Sequence, residues 1–129
     1  MSDPASEHRD NAPRSVSLAV LTVSDSRTME TDTGGATIVD LAIAAGHTIS
    51  NRQIIPDEPR LLAEQIMQLV KQQEVDAILV TGGTGISRRD QTYETISGLF
   101  TRLLPGYGEL FRYLSFHEIG PAAMLSRAL

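Results

Sequence analysis

The chain has 129 residues, 41% of them hydrophobic, enough for one domain with a modest core. A net charge of −5, with three Phe, three Tyr and no Trp, excludes the basic face and aromatic platform of a sequence-independent nucleic-acid binder. The absence of Cys excludes disulfides, thiolate nucleophiles and Cys-based metal sites.

Residues 1–15 are polar, carry Pro4 and Pro13, and read as a disordered leader before a single domain over 16–129. They hold no apolar signal-peptide core, and no later stretch approaches the ~20 apolar residues of a membrane span, so a cytoplasmic protein is expected. From Val16 a nearly continuous apolar run to Val23 predicts a central strand, ending at Ser24-Asp25-Ser26-Arg27. Thr28 to Gly35 reads as a polar loop. Ile38, Leu41, Ala42 and Ala45 then make one apolar helical face, stopped by Gly46. His47 to Ile55 predicts a second strand, broken by Pro56-Asp57-Glu58-Pro59. Leu62, Ile66, Leu69 and Val70 share a face of the next helix.

Ala77 to Val80 is a short buried strand that runs into Thr81-Gly82-Gly83-Thr84-Gly85. A helix is predicted over Thr92 to Leu104, with Thr92 as N-cap and Ile96, Leu99, Phe100 and Leu103 facing inward. Pro105-Gly106-Tyr107-Gly108-Glu109 reads as a second glycine loop, followed by a short helix from Leu110 to Phe116. After Gly120-Pro121 a last helix starts at Ala122 and meets no stop signal before Leu129. The alternation implies an α/β fold, a sheet with helices on both faces.

The glycine loop between a strand and a helix offers free N–H groups, a natural seat for an anionic or heteroaromatic ligand. It lacks the Gly-Lys-Ser/Thr ending of a P-loop and the G-x-G-x-x-G spacing. Three carboxylates, Asp25, Asp57 and Asp90, lie beside turns that a layered α/β domain gathers at one sheet edge. Together with a phosphate-friendly loop they suggest a Mg²⁺ site. Each also has a local reading: Asp57 and Asp90 as helix caps, Asp25 as a turn hydrogen bond. Arg88 and Arg89 fit either phosphate pairing or a solvated surface. His8, His47 and His117 have no metal-ligand spacing.

The chain resembles the MoaB/MogA family of molybdenum-cofactor biosynthesis proteins. The likeness rests on Leu21-Thr22-Val23-Ser24-Asp25-Ser26-Arg27, Asp32-Thr33-Gly34-Gly35, Ile55-Pro56-Asp57-Glu58, the Thr81–Gly85 loop, Arg88-Arg89-Asp90-Gln91-Thr92-Tyr93-Glu94 and Pro105-Gly106-Tyr107-Gly108-Glu109. Phe116-His117-Glu118-Ile119-Gly120 is similar to the MoaB branch. The resemblance implies a three-layer α/β/α sandwich with a mostly parallel sheet, assembled into trimers or hexamers. It implies Mg²⁺-dependent AMP transfer from ATP to molybdopterin, or, as the alternative, a non-catalytic molybdopterin-binding or assembly module. Asp57 and Asp90 then fall on the catalytic and metal-binding aspartates. Thr22, Ser24, Asp25, Ser26, Thr81, Gly82, Gly83, Thr84, Gly85, Arg89, Gly106, Gly108 and Glu109 fall on the pterin and nucleotide pocket. Family members continue past the equivalent of Leu129 with a further strand and a Pro/Gly loop, so the resemblance implies a C-terminally incomplete domain.

Overall fold

The structure, a computed structural model, describes residues 3–129. Its centre is β1 (Ser17–Val23), which pairs in parallel with β2 (Thr48–Ile55) on one edge and β3 (Ala77–Thr81) on the other. The order is β2-β1-β3, so all three strands point their C-terminal ends to the same side. Parallel neighbours need crossovers, and the predicted α/β alternation supplies them. These are α2 (Thr33–Ala44) between β1 and β2, and α3 (Pro59–Val70) between β2 and β3.

Alternation along β1 feeds two cores. Ala19, Leu21 and Val23 pack with Ile55 and with Leu62, Ile66 and Leu69 of α3. Ile96 and Leu99, in and just after α4 (Thr92–Ser97), close on the same cluster. The intervening Leu18, Val20 and Thr22 are also buried, and α2 packs on β1 and β2. Gly35 makes that approach close: a Cβ there would lie 2.7 Å from Thr22 Oγ1 and would run into the Asp32 carboxylate.

Several expectations are corrected. Within the expected disordered leader, Pro4–Asn11 forms a helix, α1. Asp3 caps it by accepting the Ala5 N–H, and Pro4 sits at its start, so local capping chemistry competes with low hydrophobicity here. α2 begins at Thr33, capped by Asp32, and includes Gly34 and Gly35 in its first turn. Leu41 and Ala45, expected inside, are exposed, because the helix is apolar nearly all round and only the Gly35–Ala42 side meets the sheet. Val70 is exposed too.

α4 is six residues long, not thirteen, and Phe100 and Leu103 lie outside it on the surface. Gly98 ends it as C-cap. The second glycine loop is not a loop. Pro105 opens α5 (Pro105–Ile119), and the two glycines are absorbed into its first turns. The last expected helix is a 3₁₀ turn, Gly120–Leu125, followed by an extended end. Among the described residues no helix is long and apolar enough to cross a membrane.

Leu21 is fully buried at the centre of the larger core. Leu21→Ala should cost about 3 kcal/mol of unfolding free energy, read from the urea midpoint.

Candidate ligand-binding site

The strand C-termini deliver Thr22 to Asp25, Ile55 to Asp57, and Thr81 to Gly85 to one edge of the sheet. Thr81 leads into Gly82 and Gly83, whose φ values of 96° and 62° lie in the left-handed region that glycine adopts without strain. Space demands glycine as well. A Cβ on Gly82 would strike the Val23 carbonyl. One on Gly83 would strike Thr92 Oγ1 and lie 3.0 Å from Asp57 Oδ2.

The loop's carbonyls are turned into the protein. Gly83 O accepts the Thr92 N–H at 3.2 Å, and Thr84 O accepts the Arg127 N–H at 2.9 Å. Gly85 O accepts Arg127 Nε at 2.8 Å. Among the described residues, the N–H groups of Gly83, Thr84 and Gly85 find no acceptor of their own. Carbonyls held inward beside unused N–H donors make a seat for an anion.

The carboxylates converge, with different tasks. Asp25 accepts the Asp57 N–H at 3.0 Å and Arg89 through Nε at 3.2 Å and a terminal nitrogen at 2.6 Å. Asp25 therefore joins the end of β1 to the turn after β2 and to the glycine-loop segment. The Arg89 contact, then the Asp57 N–H, hold its carboxyl below the usual range. Asp57 is buried. Burial pushes its carboxyl up, against the Gln91 N–H, while Asp25 and Asp90 add further upward pressure. It is not the cap of α3, a position held by Glu58 without a side-chain bond. Asp90 does not cap α4 either; its Oδ2 accepts the Ser87 N–H at 3.0 Å and lies beside Gly85.

A polar cleft of about 320 Å³ opens beside the loop, lined by Thr22, Ser24, Arg27, Asp32, Thr81 and Gly82 among others. Ser24 Oγ accepts the N–H groups of Ser26 and Arg27 at 3.2 and 3.0 Å, so it shapes the turn. Thr22 donates its hydroxyl to Asp32 at 2.8 Å. Asp32 also accepts the Gly35 N–H at 3.0 Å and Arg52 at 3.1 Å. Burial pushes the Asp32 carboxyl up, but Gly35, Thr22 and Arg52 together bring it below its ordinary value.

Not every expected residue joins this cluster. Glu109 lines a second cavity of about 510 Å³ with Tyr93, Arg112 and Arg127. Gly106 is exposed, and Gly108 is buried against the Ala128 carbonyl and Arg112. Arg88 is an exposed residue whose carbonyl accepts from the Gln91 side chain. His47 Nδ1 accepts the Val16 N–H at 3.2 Å. Asp32, Thr92 and Arg127 were not singled out as site residues from sequence. The family-like Asp-Thr-Gly-Gly run was the available signal for Asp32; Arg127 had none.

The two buried aspartates should respond oppositely to charge removal. The Asp32 carboxyl lies below 3.8, so its stabilisation is complete above that value and is lost as pH falls through the lowered one. The Asp57 carboxyl lies above 3.8, so its contribution is present below that value and is lost as pH rises through the raised one. Asp32→Asn should lower the urea midpoint at neutral pH and much less in acid. Asp57→Asn should leave the neutral midpoint unchanged or raise it.

Residues 19–129 match the family described as a probable molybdopterin binding domain. The chain is 45% identical over 124 residues to molybdenum cofactor biosynthesis protein B of Halalkalibacterium halodurans, covering 95% of this chain and 73% of that protein. It is 46% identical over 123 residues to the protein of the same name from Bacillus subtilis, covering 95% and 72%. A crystal structure of molybdenum cofactor biosynthesis protein B superposes with a TM-score of 0.85 at 40% identity, over 92% of this chain and 74% of that one. The tungsten cofactor synthesizing protein MoaB from Pyrococcus furiosus superposes at 0.76 with 33% identity, over 88% and 71%. With the motif residues of 21–27, 55–58 and 81–90 gathered at one sheet edge, the chain belongs to the MoaB/MogA family of molybdenum cofactor biosynthesis proteins, in its MoaB-like branch.

Proposed function

We propose that this chain binds molybdopterin and transfers AMP from ATP to the pterin's terminal phosphate, giving adenylyl-molybdopterin. The observation that carries this reading is the glycine loop: its carbonyls are tied inward, its N–H groups at 83–85 are free, and Asp57 and Asp90 flank it. In the reaction a phosphate oxygen attacks the α-phosphorus of ATP. A new phosphoanhydride forms, the α–β bridging bond breaks, and pyrophosphate leaves with the electron pair. A phosphate monoester is already anionic near neutral pH, so no Ser or Cys nucleophile is needed. The task is to bring two polyanions together, which positioning and electrostatics accomplish.

The residues fit Mg²⁺ delivered with ATP. Asp57 is a buried carboxylate beside Gly83, and Thr92 Oγ1, buried at the same point, has no partner among the described residues. Asp57 and Asp90 are the residues that would hold the ion. Bound there, Mg²⁺ would neutralise phosphate charge. The free N–H groups of Gly83, Thr84 and Gly85 would bind phosphate oxygens. Thr22, Ser24, Ser26, Thr81 and Gly82 shape the polar cleft beside them. Asp25 would keep Arg89 and the Asp57 turn in place. Glu109 lines the neighbouring cavity, which we assign to the remaining part of the ligand, and Gly106 and Gly108 lie in the turn of α5 that carries it.

A homo-oligomer, trimer or hexamer, accompanies this reading, in a cytoplasmic setting. Its support is apolar surface that one copy leaves bare: Leu41 and Ile43 on α2, and Leu110, Phe111, Tyr113 and Leu114 on α5.

Asp57→Ala and Asp90→Ala should each lower molybdopterin-dependent pyrophosphate release from Mg·ATP by at least ~100-fold, with the circular dichroism spectrum unchanged. Normal turnover in both would overturn the assignment. Pterin binding without any ATP consumption by the unaltered chain would leave a binding or assembly module in its place.

A further inference from the structure

Arg127 lies in the extended segment after the 3₁₀ turn, 42 residues from Gly85, and the reaction assigns it no part. Its backbone N–H donates to Thr84 O at 2.9 Å. Its Nε donates to Gly85 O at 2.8 Å, and one terminal nitrogen donates to Asp90 O at 2.6 Å. The other terminal nitrogen pairs with Glu94, and the guanidinium carbon lies 5.4 Å from the centre of the Tyr93 ring. Arg127 thus grips both ends of the 84–90 segment, Thr84 through its backbone and Gly85 and Asp90 through its planar cation, which also reaches the first turn of α4.

These contacts have a direction. The carbonyls of Thr84, Gly85 and Asp90 would otherwise compete with a phosphate for the space at the loop. An anion cradle needs its carbonyls turned away, and a half-buried guanidinium with five donors in a fixed fork is suited to hold several at once. The Glu94 pair supplies the countercharge: Arg127's hydrogen bond is the leading cause that holds the Glu94 carboxyl below its ordinary range. The side chain of Arg127 is only 28% exposed, so much of this grip is shielded from water.

We propose that Arg127 is the positioning residue of the glycine loop: it fixes the 84–90 segment so that the N–H groups of 83–85 and the Asp90 carboxylate face one ligand. This inference rests on the adenylylation reading for the identity of that ligand, and on the hydrogen-bond pattern alone for the loop. A lysine keeps the charge but cannot reach two carbonyls and Glu94 together.

The test uses Arg127→Lys in the whole chain, with hydrogen exchange and Mg·ATP calorimetry. The bonded amides of the segment and its flank, Ser87, Asp90 and Thr92, should exchange about tenfold faster while those of β1 and β2 stay as they were. Mg·ATP affinity should fall about tenfold, and Asp90→Ala combined with Arg127→Lys should lose no more than Asp90→Ala alone, as expected for residues acting as a unit. Unchanged loop exchange would overturn the proposal. So would an acceleration shared equally by β1, or losses that multiply in the double variant, since both mark a merely structural arginine. If the unaltered chain binds no Mg·ATP, the adenylylation reading fails and the exchange pattern alone decides for or against Arg127.

Discussion

Strand β1 is hydrogen-bonded on both edges and covered on both faces, and that double burial is the constraint on which the other elements depend. A strand in this position must be apolar at every residue, with no polar face to spare. Its one polar core residue, Thr22, is admitted because Asp32 accepts its hydroxyl. Parallel neighbours on both sides then bring three strand ends to one edge, so the loops after β1, β2 and β3 share a single neighbourhood. That edge is where open α/β sheets bind their ligands, a general rule that precedes any side chain.

The three loops are tied together by charge, unevenly. Asp25 is satisfied twice over, by a backbone donor and by Arg89, and serves as a strut. Asp57 is the opposite case: a carboxylate under a desolvation penalty, with like charges near it and one backbone donor. Such a group is a poor contributor to stability and a good ligand for a cation. The buried, unpartnered Thr92 hydroxyl beside it belongs to the same pattern. Stability is conceded where Asp57, Thr92 and Gly83 meet, while Asp32, at the start of α2, is compensated by Gly35, Thr22 and Arg52.

Around this edge the chain leaves much apolar surface bare, on α2 and above all on α5, which packs mainly against the 3₁₀ turn. The chain spans 73% of the length of its Halalkalibacterium halodurans relative. The glycine loop nevertheless has its inward anchor within these residues, because Arg127 reaches it from the far end of the chain.

The three strands, the two helices between them and the glycine turn were legible because local rules decide them. A nearly continuous apolar run such as Leu18 to Val23 reads as a strand buried on both faces, and a Gly-Gly pair after a short apolar run reads as a turn. Three of the family motifs, at 21–27, 55–58 and 81–85, lie at strand C-terminal ends and so come to one edge, whereas 105–109 lies at the start of a helix elsewhere. What the sequence could not determine were features that depend on partners distant in the chain. Leu41 and Val70 obey helical periodicity yet face away from the core, because periodicity defines a stripe and not what covers it. Pro105 to Glu109 has loop composition but opens a helix, where proline's missing N–H costs nothing. Asp57 looks like a cap in sequence; only its burial beside Gly83, with Asp25 and Asp90 near it, makes it a destabilised carboxylate that the Gln91 N–H offsets in part. Arg127 carries no motif at all, and its hold on Thr84, Gly85 and Asp90 exists solely because folding brings the end of the chain across the glycine loop.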